Sequence, residues 1–476
     1  MKYVIIGGGP SGLCLLWILA KHNKNVVLIE KESQLGGSWN STWDKNYWTE
    51  NAPRVLFENG IHMDFLIDIG MKKQDFKVVY GDILSTYYLL TNFFTKQLEF
   101  NDYFQILKGY IYYKLNNDDH KTLCTWLNQS SMSKKGKDAL RILCITVNDI
   151  PEKTNAKVFF NTLGLSGNFI QMSDSNKWHN LIENKLKNMK NVQIIKNTTI
   201  DSLQYENNNI VSALCINKEK SISYKIYGNK FVLCTQSNGI IPILEKSHRH
   251  IQNNWGDFHK LQKWNVLTHY NGFGFQLHFC EKINYPKDWC WSCKGDWTII
   301  ILPSSKWLTY KSKDVTIQTV WSCVVIDMDS KSKNIHKSLN DCDLDEALKE
   351  CIFQIKKQYH QLPHPYYITS SESLQKVNNK WVSLNTGFTK NNQNYIHMKG
   401  NINNLFAIGC FNDIGYDHVA SMKTAIESSC MYLQKYEPQI QDFHNKTKIN
   451  YSYIFILFVL ILCYYVYNAN NKKIRR

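Results

Sequence analysis

A chain of 476 residues with 43% hydrophobic and 13% aromatic content has ample material for a core, which excludes wholesale disorder and a small disulfide-stapled module. A formal charge of +16 raises nucleic acid as a partner, but the lysines are scattered and no arginine–aromatic stripe is present, so no nucleic-acid role is expected. Fourteen cysteines without a repeating spacing point to reduced, buried thiols rather than a disulfide framework.

The first twenty residues carry an early lysine and an apolar run, as a signal peptide does, but Gly7, Gly8, Gly9, Pro10, Ser11 and Gly12 interrupt it. They fit a strand (Lys2 to Ile6), a tight turn and a helix start instead. The spacing Gly7-x-Gly9-x-x-Gly12 has a physical demand behind it. Gly7 permits the turn, Gly9 lets backbone and Ser11 approach a pyrophosphate, and Gly12 allows close packing of helix on strand. A second strand, Asn25 to Ile29, ends at Glu30, eighteen residues beyond Gly12. A carboxylate there accepts from ribose hydroxyls and repels a 2′-phosphate, favouring FAD or NAD over NADP. Lys31 follows, then Leu35-Gly36-Gly37-Ser38-Trp39.

Further along, Lys177 to Met189 reads as a helix, Asn191 to Ile195 as a strand, Ile200 to Tyr205 and Ile210 to Ile216 as a hairpin around an Asn turn, and Lys230 to Thr235 as a buried strand. Between residues 245 and 395, alternating aromatic-rich strands (Gly272 to Phe279, Trp297 to Leu302, Val315 to Ile326) precede a helix from Asp343 to Gln358. Such a sheet suits a substrate domain, although aromatic stripes are more often plain core. Asn404 to Gly409 reads as a buried strand ending in glycine, and His418 to Ser429, including Ser421 and Met422, as the next helix.

Tyr451 to Tyr467 is an uncharged apolar and aromatic run, followed by a basic tail at 468–476. Set against the roughly 20 residues that span a bilayer, it is expected to be a single-pass membrane anchor joined by a linker at 437–450, with the lipid bilayer as partner. With no amino-terminal signal, the catalytic body is expected in the cytosol.

Two of these segments resemble a known family. Ile29-Glu30-Lys31 through Gly36-Gly37 looks like the E-x-x-x-x-x-G-G segment of FAD-binding flavoproteins. Asn404 to Gly409 with the Ala420-Ser421-Met422-x-x-Ala425-x-x-Ser428 helix resembles the closing FAD motif of the amine-oxidase and phytoene-desaturase superfamily. The resemblance implies FAD as cofactor. It places Val192 at the adenine, the Cys234-Thr235 end near the pyrophosphate, and the helix start at Ser421 and Met422 by the flavin. There are two departures. Where the family has an acidic residue after the strand-ending Gly409, Cys410 stands here, leaving Asn412 or Asp413 as substitutes. The family arginine after Gly37 is also missing, with Arg54 as the nearest replacement.

The fold implied is α/β: a Rossmann-like FAD-binding domain split along the chain (1–60, 165–245, 395–436), a mixed-sheet substrate domain (61–164, 246–394) and a C-terminal transmembrane helix. The expected activity is two-electron oxidation, by hydride abstraction from a C–N or C–C bond, of a small-molecule substrate. Lys306 is a weak catalytic candidate, since a surface lysine is the commoner reading. One alternative is a flavin monooxygenase, for which Gly164-Leu165-Ser166-Gly167 is an incomplete second dinucleotide motif; another is a degenerate FAD fold acting as a membrane scaffold. No metal-ligand spacing is present, so no metal is expected. The single Cys290-x-x-Cys293 pair reads as packed thiols ahead of a redox dithiol.

Overall fold

A computed structural model describes residues 1–440 except 53, 81–97, 117–120, 148, 164–168, 269–270, 284–291, 294, 310–311, 314–315, 372, 385–395 and 413–420. Its organising element is a five-stranded parallel sheet. Strand Lys2–Ile6 lies at the centre, flanked on one side by Asn25–Ile29 and then Val192–Ile195, and on the other by Lys230–Leu233 and then Leu405–Ala407. The central strands are almost wholly apolar and buried on both faces, as a covered parallel sheet requires. One face carries helix Pro10–Lys21, in which every residue from Pro10 to Ala20 is buried. Such a helix, apolar on all sides, must be covered. Helix Lys177–Leu186 and the closing helix Met422–Tyr436 pack against it.

The order from residue 177 to 233 is as expected: helix Lys177–Leu186, strand Val192–Ile195, hairpin Thr198–Glu206 with Asn209–Asn217, and buried strand Lys230–Leu233. The hairpin turns through Asn207 and Asn208, both at positive φ, where asparagine is better tolerated than other side chains.

A second sheet of five antiparallel strands contains Phe273–Phe279, Ile299–Leu302 and Thr319–Val325, all fully buried, with Tyr367–Ser370 at one edge. Helix Leu344–Gln358, started by an Asp343 and Glu346 capping box, buries Ala347, Cys351 and Ile355 in the same core. Strand Phe273–Phe279 presses on strand Tyr47–Glu50 and the residue after it so tightly that a Cβ on Gly274 would meet the Asn51 carbonyl at 1.8 Å. The glycine is what lets the two layers touch. Residues 98–163 add a separate helical core around Tyr110, Leu140 and Phe159.

The C-terminal transmembrane helix of the expected architecture is withdrawn, and the membrane-anchored localisation with it. Among the described residues no helix is long and apolar enough to cross a membrane. Residues 451–467 and the tail lie outside the described residues. The α/β body is what the structure supports.

Candidate functional site: a dinucleotide cleft

The carboxyl ends of the parallel strands open into a cleft of about 420 Å³, the place where open α/β sheets take ligands. Gly7, Gly9 and Ser11 line it, between the first strand and the start of helix Pro10–Lys21. Each glycine has a distinct constraint. Gly7 has φ +111°, and a Cβ there would come 2.9 Å from Cys234 backbone. Gly12 does not line the cleft; a Cβ on it would strike the Gly7 carbonyl at 1.9 Å, so its absence of side chain seats the helix on the strand. Gly9 has nothing within 4 Å of its ideal Cβ position, which leaves its surface open. No side chain caps the helix behind it, so the partial positive charge of the first turn is available to an anionic group.

Glu30 closes the second strand and lines the cleft at 6% exposure. Its carboxylate accepts from the backbone N–H of Gly8 at 2.6 Å and of Glu32 at 2.9 Å. Burial raises its pKa above the usual carboxylate range, while those two amides pull the other way. Lys31 lines the cleft beside it.

The Gly36-Gly37-Ser38-Trp39 turn forms the next wall. Gly36 and Gly37 both have positive φ, and a Cβ on Gly37 would approach the Gly9 α-carbon at 3.0 Å, so the two glycine loops meet closely. Gly37, Ser38 and Trp39 line the cleft; Arg54 does not. Arg54 instead donates to the Ser38 carbonyl at 2.6 Å, lies over the Trp39 ring at 5.3 Å, and forms a two-pronged ion pair with Glu50 at 3.0 and 2.8 Å. It braces the turn from behind. Glu50 does reach the cleft; burial raises its carboxyl pKa, with Arg54 and a hydrogen bond from Ser322 opposing.

From the closing motif, Gly409, Cys410 and Ser421 line the cleft. Ser421 caps helix Met422–Tyr436 by accepting from the Thr424 N–H at 3.2 Å. Met422 points into the core, fully buried. Asn412 is also turned inward, accepting from the Gly409 N–H at 2.9 Å and donating to the Ile396 and Ala407 carbonyls. Asp413 and the incomplete motif 164–167 lie outside the described residues, as does Cys290. Cys293 is buried, donates to the Gln354 carbonyl, and has its pKa pushed up to about 12 by that burial, which suits a packed thiol. Lys306 sits exposed in the turn Ser304–Lys306 and is not among the residues lining the cleft. No group of side chains suited to hold a metal occurs among the described residues.

Val192 is not brought to the cleft. It stands at the amino end of its strand, paired with Val26, whereas the cleft lies at the carboxyl ends; Thr198, Thr199 and Ile200 line it instead. Other lining residues that sequence reasoning passed over include Asn40, Thr42, Asn51, Gln236, Ser371 and Ser373. Asn40 Oδ1, Thr235 Oγ1 and Gln236 Oε1 are buried with no hydrogen-bond partner among the described residues. Unpaired buried polar atoms are costly, so three of them around one cleft argue for a polar ligand there. Open Gly9, an uncapped helix start, a strand-end carboxylate and these three atoms are a donor and acceptor set that fits FAD.

The fold and cleft are those of an α/β protein built on a Rossmann-like sheet split along the chain. Comparisons with known proteins agree. Residues 5–68 match the NAD(P)-binding Rossmann-like domain family. A 68-residue stretch is 34% identical to UDP-galactopyranose mutase of Mycoplasma pneumoniae, covering 13% of this chain and 17% of that protein's length. Two solved structures share the architecture over nearly all of it. An oxidoreductase from Methanosarcina mazei superposes with a TM-score of 0.65 over 91% of this chain and all of its own, at 11% identity. Cyclohexylamine oxidase from Brevibacterium oxydans does so with a TM-score of 0.59, over 92% of this chain and 98% of its own, also at 11% identity. At that identity these likenesses show a shared fold.

Proposed function

We propose that the chain is an FAD-dependent oxidoreductase that carries out two-electron oxidation of a small-molecule substrate at a C–N or C–C bond. The observation that carries this reading is the convergence of the open Gly9 turn, Glu30 and the unpaired Asn40, Thr235 and Gln236 atoms on one cleft. Bound FAD supplies the hydride chemistry; the protein binds, orients and shields it. In this reading Gly7, Gly9, Ser11 and the helix start take the pyrophosphate, with Gly12 seating that helix. Glu30, Lys31 and Thr198 to Ile200 take the adenosine end. Gly37, Ser38, Trp39, Gly409, Cys410 and Ser421 enclose the remainder, held from behind by Arg54 and Met422. Ionised Glu30 accepts from ribose hydroxyls more strongly than the neutral acid, so its raised pKa makes FAD affinity fall as the pH drops and it takes up a proton.

The activity is tested by mixing FAD-loaded full-length protein anaerobically with primary amines, polyenes and NADPH while following flavin absorbance. Bleaching by an amine or a polyene supports the oxidase or desaturase reading. Bleaching by NADPH alone points to the monooxygenase alternative, and failure of the purified chain to hold any flavin sinks both.

A further inference from the structure

Beside Glu50, the cleft wall continues into a polar cluster assembled from distant parts of the chain. Asn51, Ser371 and Ser373 all line the cleft. Both serine hydroxyls donate to Asn51 Oδ1, that of Ser373 at 2.9 Å. Ser371 and Ser373 Oγ also lie 2.8 Å apart, the Ser373 N–H donates to Ser371 Oγ at 3.1 Å, and Ser383 Oγ sits 3.1 Å from Ser373 Oγ. Ser371 and Ser373 are 7% exposed, so the cluster is fixed within the fold rather than a solvated surface patch.

Two consequences follow. The Asn51 side-chain oxygen accepts from this serine pair, whose two protons are shared between it and their own 2.8 Å contact, and that placement turns Nδ2 away from them. No described residue accepts from Nδ2. The backbone cannot shift to change this, because strand Phe273–Phe279 is pressed onto the Asn51 carbonyl at Gly274. The same cleft is lined by Gly409, Cys410 and Ser421 of the closing motif.

We infer that Asn51, locked by Ser371 and Ser373, is a preorganised hydrogen-bond donor to the flavin ring. This rests on the reading of the cleft as an FAD site. A donor held there favours the more electron-rich reduced flavin, so Asn51 sets the reduction potential as well as affinity, and Ser371 and Ser373 are positioning residues acting through it.

The test uses full-length protein, with FAD binding and the flavin midpoint potential as readouts. Asn51→Ala and the near-isosteric Asn51→Asp are each expected to raise the Kd for FAD about tenfold. Both should lower the midpoint potential, Asp the more because it replaces a donor by a negative charge. The pair Ser371→Ala with Ser373→Ala should move the potential in the same direction by less, since the amide is retained but no longer fixed. If either Asn51 variant fails to fold, the serine variant carries the test alone. Wild-type affinity and potential in the folded variants would overturn the inference while leaving the FAD reading intact. Failure of the wild-type chain to bind FAD would overturn both.

Discussion

Glycines nine and twelve look alike in the sequence and differ in what they face. A Cβ on Gly12 would collide with the Gly7 carbonyl, whereas one on Gly9 would meet no protein atom, and Gly9 has an ordinary negative φ. Gly9→Ala is therefore expected to leave the unfolding midpoint of the FAD-free protein within a degree or two while removing most FAD affinity, because only a ligand feels the added methyl. Gly12→Ala should instead lower stability by more than about 2 kcal/mol or prevent folding. Urea unfolding and FAD titration of both variants check this; a Gly9→Ala protein that binds FAD normally would remove the pyrophosphate from that turn. At Glu30 the signs for stability and binding are opposed. A raised carboxylate pKa contributes stability that is present below 4.5 and is lost as the pH rises through the folded value, while ribose binding favours the ionised form. Glu30→Gln should flatten the acid side of the FAD-binding curve, and an unchanged pH profile would count against Glu30 as the ribose acceptor.

Two helices begin at the cleft, and their pairing is what builds it. Ser429 Oγ donates to the Ser11 carbonyl at 2.9 Å, tying the middle of the closing helix to the first turn of the glycine-turn helix. Ser421 caps the closing helix, so Ser421→Ala is expected to cost about 1 kcal/mol in urea unfolding; no measurable loss would show that the cap is made otherwise. Elements of this kind were legible in the sequence because their determinants are local: a glycine spacing, a buried run, a serine three residues before the first turn closes. Val192 was misplaced because a strand's pattern reveals that it is buried but not which end faces the ligand. Met422 was assigned to the site as part of a motif, yet the residue after an N-cap starts the helix and here points into the core. Asn51, Ser371 and Ser373 could not be read at all. Their contacts span some 320 positions, and nothing near any one of them in the chain signals the others.

At the scale of the whole molecule, three histidines are sealed in separate places: His62 near the closing helix, His179 behind the Gly36 turn, and His278 in the antiparallel sheet. Burial holds each pKa down to about 4 from an ordinary 6.5. Their contribution to stability is complete above pH 6.5 and is lost as the pH falls toward 4, because the unfolded chain takes up protons that the folded one refuses. Stability by urea unfolding should thus decline from pH 6.5 downward. His278→Asn should soften that decline relative to wild type, which separates the imidazoles from the opposing carboxyls of Glu30 and Glu50. A His278→Asn protein whose stability falls between pH 7 and pH 4 as steeply as that of the wild type would show that His278 is not sealed.

The binding expectations depend on one molecule occupying one cleft. The most direct measurement is to purify the full-length protein, supply FAD, remove the excess, denature it and determine by mass what is released and how much. The account predicts one FAD per chain from the wild type and almost none from Gly9→Ala. No flavin from the wild type, or equal amounts from both, would contradict it.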